Sequence, residues 1–348
     1  MRSPKRQQGV ALVLIMMVTA LVAAISIDFF YEYKINMARV GNRWGNDQAQ
    51  QYLLGAENLA ALVMEQDAEN GLEQDNLNED WAQEIPPLPT DHGFLEARME
   101  DAQARFNINS MKTKVQLDLN QPVANEWERF TPAQRRFIRL VQTFADEEGR
   151  EDNDELEIAE YEAIALTEAI IDWLDDDDDP TGFGGAESLY YSDFDPVYRP
   201  ANQFMNSVSE LRMVRHMTPA LYTALEPYLI ALPAETDLNV NTAPLKLLRT
   251  INNEQDLQPL AADEVEDLIT DRELQPFESI GSFMENDVVQ RLLTSPAETN
   301  AKLGVSSSFF ILHAKTSIGE EHIRYLDSLL YRNNDGEVSV FNRRYTSY

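Results

Sequence analysis

The densest chemistry in the chain lies in residues 170–192, IIDWLDDDDDPTGFGGAESLYYS. Asp175, Asp176, Asp177, Asp178 and Asp179 follow the apolar residues Ile170, Ile171, Trp173 and Leu174, which read as the end of a helix. Pro180, Gly182, Gly184 and Gly185 then force a loop before Glu187. Five adjacent carboxylates repel one another, and a helix C-terminus, with its partial negative charge, is an unfavourable place for them. A hard divalent cation relieves both costs. Calcium accepts six to eight oxygens in loose geometry, from alternate aspartates and backbone carbonyls. With Asp175 as position one of an EF-hand loop, Asp177 and Asp179 fall at three and five. Position six is Pro180 instead of glycine, however, and Glu187 arrives one place late, with Ala186 at twelve. Composition leaves two readings open, a calcium loop of another design and a solvated acidic run.

Little else in the sequence has catalytic spacing. There is no cysteine, which removes disulfides, thiolate metal sites and thiol nucleophiles. His92, His216, His313 and His322 show no ligand spacing, and no nucleophilic triad, Walker or dinucleotide pattern occurs. Acid pairs such as Asp146, Glu147 and Glu148 are expected on solvated faces of a chain with 60 acidic residues. Enzymatic activity is therefore not expected. A membrane-anchored hydrolase is a rival that would need an apolar cleft holding two acids of split pKa. The 348-residue chain carries a formal net charge of −32, which opposes phosphate backbones and anionic lipid surfaces.

The elements that position the acidic loop begin at a membrane. Arg2, Lys5 and Arg6 precede an uncharged run from Val10 to Ile27, VALVLIMMVTALVAAISI. Eighteen helical residues span roughly 27 Å, close to the thickness of a bilayer core. Positive charge before the run and Asp28 after it place the N-terminus in the cytoplasm and the remainder outside. Gly9 stands between the basic leader and the apolar run. A peptidase cutting there would remove the charge and keep the helix.

Beyond the membrane, Ala49, Tyr52, Leu53, Ala56, Ala60 and Val63 form a one-sided helical stripe. The stem is expected to run to about residue 67, bending at Gly41, Gly45 or Gly55. IPPLP at 85–89 ends the helical regime, and alternation within 93–109 predicts one or two strands. Strands are also expected in 306–318, 322–332 and 337–345, the last two joined by a hairpin over Asn333, Asn334, Asp335 and Gly336. The fold class is α+β: a small antiparallel sheet interrupted by a helical insertion over residues 112–299, with head segments at 68–111 and 300–348. Two phrases recur, RFNINSM at 105–111 and DLNVNTA at 237–243, and each can open a helical half of the insertion. The second half, about 220–292, is similar to helix-hairpin-helix modules, which raises nucleic-acid binding as a rival. Its linking stretch, residues 252–264, has four acids, no glycine and no base, so the phosphate site is missing.

The leader QQG followed by VALVL resembles those of type IV prepilins and type II secretion pseudopilins. That resemblance implies cleavage after Gly9 in residues 1–9, methylation of Val10 by a prepilin peptidase, and a mature helix over 10–67. The family's glutamate at the fifth mature position is Leu14 here, a departure found in the large minor pseudopilin. DWLDDDDDP, GGAESLYYS, VYRPANQFMNSVSEL, RFNIN and LNVNTAP together resemble the general secretion pathway protein K family. The resemblance implies a pseudopilin fold with SAM-like or helix-hairpin-helix-like halves in the insertion. It also implies a structural calcium held by Asp175, Asp177, Asp179 and Glu187. Its expected role is at the tip of the secretion pseudopilus in the inner membrane, head in the periplasm, capping or initiating the filament. The implied partners are the I-type and J-type minor pseudopilins, the major pseudopilin and the inner-membrane platform, with no nucleic acid.

Overall fold

The computed structural model describes residues 8–115, 124–144, 156, 158–294, 302–319 and 322–346. Most of the leader, residues 1–7, therefore lies outside the described residues. Helix α1, Gln8–Asn70, runs without a break, roughly 95 Å at 1.5 Å per residue. The expected bends do not interrupt it. A side chain at Gly41 or Gly55 would meet open space, so neither glycine answers a packing need. From Val10 to Trp44 the large apolar side chains of α1 are exposed, apart from the half-buried Ile35. It is the described helix long and apolar enough to cross a membrane. From Ala49 onward, Leu53, Ala56, Ala60 and Met64 are buried, because the stripe has found a sheet to cover it.

That sheet has five antiparallel strands in the order β1-β2-β7-β8-β9. Its outer members are β1 (Leu88–Thr90) and β2 (Gly93–Asp101) on one side. On the other are β7 (Phe309–Ile318), β8 (His322–Arg332) and β9 (Val338–Thr346). Phe310, Leu312 and Ala314 of β7 alternate with residues of the opposite, partly covered face and meet α1 with Leu326, Leu330 and Trp81. The expected hairpin joins β8 to β9, with Gly336 at φ +82°, the left-handed conformation for which glycine has no steric cost. β1 was not anticipated, since Pro87 and Pro89 read as breakers. Prolines are tolerated on an edge strand with no ladder to complete on its outer side.

Polar groups lock α1 to the sheet. Arg343 donates to both oxygens of the buried Glu57 at 2.8 Å, and Ser328 Oγ donates to Oε2 at 2.6 Å. Burial alone would raise the Glu57 carboxyl, but these bonds hold it below its ordinary range. Farther along, Arg332 bridges Asp67 at 3.2 Å and the fully buried Asp75 at 2.5 Å. These contacts orient the head. Trp44 meets His92 at the end nearer the apolar run of α1, whereas Asp67 and Arg332 mark the far end. The chain leaves β2 after Asp101 and re-enters β7 at Phe309, which pairs with Tyr331 beside Arg332. The insertion therefore projects from the end of the head farthest from the apolar run.

The insertion is larger than its expected bounds and not wholly helical. Its core takes in Phe106, Ile108 and Met111 before residue 112, and Leu303 and Val305 after 299. Two short parallel pairings tie the ends of the insertion to its own interior. β3 (Phe106–Asn107) pairs with β4 (Leu229–Ile230), and β5 (Leu238–Asn239) pairs with β6 (Leu303–Gly304). Its helices are α2 (Pro132–Gln142), α3 (Glu160–Leu174), α4 (Ser188–Tyr191), α5 (Pro219–Leu225), α6 (Leu245–Leu248), α7 (Ala262–Leu274), α8 (Ile280–Glu285) and α9 (Asp287–Leu292).

The repeated phrases do the same work in both halves. Asn107 and Asn239 each accept from the backbone N–H two residues on, at 3.2 and 3.0 Å. Asn109 accepts from Met205 N at 2.8 Å and donates to Met205 O at 3.0 Å. Asn241 likewise accepts from Phe277 N and donates to Phe277 O, both at 2.9 Å. Two residues past each clamp, Ser207 and Ser279 cap a following helical turn. The clamps close over 96 and 36 residues, so the first half carries 96 − 36 = 60 more residues, which include the acidic loop. Replacing Asn109 by Ala strands the Met205 amide and carbonyl in the interior. Asn109→Ala should cost roughly 2 kcal/mol of unfolding free energy in a denaturant titration, and Asn241→Ala about as much. A change near zero for both would mean that the clamps are incidental.

Candidate metal centre

The centre is assembled where α3 ends. Asp172 is in the last turn of α3, and Asp175 caps the helix, its N–H donating to Ile171 O at 2.9 Å. The chain then makes linked aspartate turns, Asp177 N donating to Asp175 Oδ1 at 3.3 Å and Asp179 N to Asp177 Oδ1 at 2.9 Å. Thr181 N returns to the helix and donates to both oxygens of Asp172 at 3.0 and 3.1 Å. Gly182, at φ +60°, reverses the loop. A Cβ on Gly184 would sit 2.3 Å from Ala165 Cα, and one on Gly185 would sit 2.4 Å from Asp172 Oδ2. Glycine at these places lets the loop lie flush on α3 and keeps the space in front of Asp172 clear. The chain then delivers Glu187 to that space as the residue preceding α4.

Asp172, Asp175 and Glu187 are all buried, and one oxygen from each lies within 4.8 Å of the others. Both oxygens of Glu187 are buried without a hydrogen-bond partner. Burial and the neighbouring Asp172, Asp175 and Asp178 push the Glu187 carboxyl up to about 8. Burial also raises Asp172 and Asp175, the latter against the pull of Lys114. The Lys114 ammonium is 2.5 Å from Asp175 Oδ2 and 3.1 Å from Asp177 Oδ2. One cation against three clustered carboxylates leaves an excess of negative charge in a partly desolvated pocket. An orphaned buried carboxylate among hard oxygen donors fits a calcium-class cation, not a soft metal.

The structure therefore brings together Asp175 and Glu187 of the four expected ligands and adds Asp172. Asp177 is exposed and turned to Lys114, and Asp179 is exposed on the outer side of the loop. Their alternation in sequence is consumed by the aspartate turns, which point successive carboxylates at backbone amides. Asp172 was legible in principle, because residues three apart share a helix face and Asp175 follows it at that spacing.

Three of the insertion's arginines, Arg139, Arg249 and Arg272, point inward. Arg139 donates to Thr250 O, Asn253 O and Asp256 O, each at 2.8 Å. Arg249 grips Leu260 O at 2.7 Å, and Arg272 grips Val240 O at 2.7 Å and Ala243 O at 2.6 Å. Guanidinium groups committed to backbone carbonyls in this way are not presented to a phosphate backbone.

One further ionisable cluster lies on the sheet. His313 contacts Asp327 at 2.7 Å and Glu100 at 3.3 Å. Hydrogen bonds to these two acids raise the His313 pKa despite burial and the nearby Arg98. A raised folded-state pKa stabilises the fold fully below the unfolded value of about 6.5, and the contribution fades as pH rises through the folded value. His313→Gln should therefore flatten the decline in melting temperature between about pH 6 and 8. An unchanged slope would show that His313 does not carry it.

A long N-terminal helix, apolar at its start in a way consistent with membrane anchoring, packs its second half on a small antiparallel sheet that carries a large inserted domain, and this arrangement defines a pilin-like subunit. The family model described as type II secretion system protein K matches residues 104–234. Type II secretion system protein K of Aeromonas hydrophila is 30% identical over 347 residues, covering 99% of this chain and 98% of its own. The protein of that name from Pseudomonas aeruginosa is 30% identical over 346 residues, covering 97% and 92%. The chain belongs to the type II secretion system protein K family, and is a minor pseudopilin of type II secretion. In fold it matches a chain in the crystal structure of the GspK-GspI-GspJ complex from enterotoxigenic Escherichia coli. That match has TM-score 0.71 and 22% identity, covering 89% of this chain and all of the other.

Proposed function

We propose that this protein forms the tip of the secretion pseudopilus, capping or initiating the filament together with I-type and J-type minor pseudopilins. The observation that carries this reading is the place of the insertion. A domain reaching from residue 106 to 305 sits at the membrane-distal end of the head, where a subunit stacked above would have to fit. Leu14 supports the same direction, since a subunit without an acid near its mature N-terminus offers no charge to a neighbour's terminal amine. Cleavage after Gly9 and methylation of Val10 belong to this reading, with the head in the periplasm. The insertion's two halves, each opened by an asparagine clamp, are the SAM-like or helix-hairpin-helix-like halves put to structural use. Calcium at Asp172, Asp175 and Glu187 is the staple that a chain without disulfides uses for its longest-closed half.

Co-purification tests the reading. The full chain, extracted in detergent after expression with the I-type and J-type subunits of its system, should elute with both. Intact-mass analysis should show methylated Val10 as its first residue. Separate elution of all three would remove the tip assignment.

A further inference from the structure

On the sheet face turned away from α1, a groove of about 540 Å³ opens where the head meets the insertion. Its head wall is aromatic. Phe309 and Tyr331 are cross-strand partners with ring centroids 5.0 Å apart, and Phe341 stands edge-on to Phe309 at 6.5 Å. Phe309 is buried, whereas Tyr331 and Phe341 are 37 and 56% exposed. A bulge puts Phe341 there. Val340 pairs with Leu330 and Asn342 with Leu329, so Phe341 is the extra residue of β9. A bulge interrupts the ladder to re-aim a side chain, and bulges recur beside functional sites.

The opposite wall, from residues 234–237 and 304–308, is polar. Its backbone is largely spent on the protein itself. Ala234 O accepts from Asn107 Nδ2 at 2.7 Å and Asp237 O from Gln103 Nε2 at 3.0 Å. Gly304 O accepts from Val240 N at 2.9 Å, Ser308 O from Arg332 N at 2.8 Å, and Ser308 N donates to Gln103 Oε1 at 2.7 Å. The side chains are not spent. Those of Asp237, Ser306 and Ser308 make no hydrogen bond among the described residues. No Lys, Arg or His is among the described lining residues. The two cations beside the groove are committed, Lys302 to Glu235 at 2.9 Å and the buried Arg136 to Lys302 O at 2.7 Å.

These features select a ligand. A wall with a free carboxylate and no cation turns away phosphates and other anions. A peptide that docks as an added strand needs unpaired backbone groups, and this wall has few left. It offers hydroxyls that donate and accept, and a carboxylate that accepts from two hydroxyls at once. Across from them lie aromatic faces whose negative quadrupole attracts C–H bonds. A pyranose ring matches both walls, with hydroxyls around its rim and C–H bonds on its faces.

We propose that the groove binds a neutral oligosaccharide, one sugar ring packed on Tyr331 and Phe341 and its hydroxyls bonded to Asp237, Ser306 and Ser308. Glu235 is held by Lys302 and Thr113, which leaves Asp237 as the one free acid among the described lining residues. Glycoside hydrolysis uses two carboxyl groups, so the groove binds sugar without cleaving it. The proposal is independent of the tip reading.

The test uses the full chain in lauryldimethylamine oxide, a detergent without a sugar headgroup, probed with chitotetraose, cellotetraose and maltotetraose by saturation-transfer NMR and calorimetry. At least one should bind, with saturation strongest at the ring C–H protons. Binding of chitotetraose alone identifies an N-acetylated glycan, and binding of either of the others an unsubstituted glucan. Phe341→Ala should weaken binding about tenfold, and Asp237→Asn and Ser306→Ala several-fold. Phe94→Ala, an exposed aromatic at the other end of the sheet, should leave it unchanged. Unfolding midpoints are measured alongside, and if Phe341→Ala does not fold, Asp237→Asn and Ser306→Ala decide. The proposal is overturned if none of the three sugars binds, or if the folded groove variants bind as tightly as the wild type. It is also overturned if tetra-arginine binds in a Phe341-dependent way and the sugars do not, which would make the groove a site for basic peptides.

Discussion

Calcium added to the metal-free full chain should raise its unfolding midpoint, by about 2.7 kcal/mol at a hundredfold excess over the dissociation constant. For a unit the size of the insertion this is roughly 5–10 °C. The gain has a specific source. Three buried carboxylates face one another with a single ammonium, and both Glu187 oxygens lack a partner. In the absence of metal that arrangement is a cost, so Glu187→Gln should melt higher than the wild type without calcium and gain little when calcium is added. Asp172→Asn should likewise blunt the calcium response. Asp177→Asn and Asp179→Asn should leave most of it, because those side chains lie outside the cluster. The reverse order, with loss at 177 and 179 and none at 172 and 187, would place the ion on the outer side of the loop. Identical responses from wild type and Glu187→Gln would remove the site. Lys114→Met should tighten calcium binding, since the ammonium competes with the ion for Asp175, while destabilising the metal-free protein.

Arg139→Ala should destabilise the protein by roughly 3–5 kcal/mol, the cost of breaking three hydrogen bonds to carbonyls, one of them on the buried Thr250, and of leaving a cavity. The guanidinium of α2 reaches across the insertion and holds the loop between α6 and α7 by Thr250 O, Asn253 O and Asp256 O. It keeps its charge although burial and the neighbouring Arg135 push its pKa down to about 10. Lysine should not rescue it, because one ammonium on a flexible stem cannot reproduce a planar fork aimed at three acceptors. Arg291→Ala, on an exposed ion pair 3.7 Å long, should change stability by less than about 1 kcal/mol and serves as the control. A denaturation midpoint for Arg139→Ala close to that of Arg291→Ala would contradict the account. The same geometry shows that Arg139, Arg249 and Arg272 of the helix-hairpin-helix-like region are spent on the protein's own carbonyls.

What could be read before the structure was what local physics enforces. The apolar run to Ile27, the stripe from Ala49 to Val63, the strand through Phe310, Leu312 and Ala314 and the turn at Gly336 all follow from neighbours within a few residues. The repeated asparagines could be seen as a pair, but not what they clamp, since Met205 and Phe277 are 96 and 36 residues away. Long-range polar pairing was invisible for the same reason. Nothing near Lys114 in sequence announces that it neutralises Asp175, and nothing near Arg139 announces the carbonyls of 250–256. The acidic loop was found as a metal candidate, yet two of its four expected ligands fall outside the cluster. Adjacent aspartates compete for their own backbone amides, and the helix that ends at Leu174, as its apolar residues indicated, supplies Asp172 from its last turn.

The central claim is that one copy of this chain ends a filament instead of repeating along it. Gold labelling of the insertion on assembled pseudopili, viewed by electron microscopy, tests this directly. The account predicts label at one end of each filament, with bare shafts. Label repeated along the shaft would contradict it.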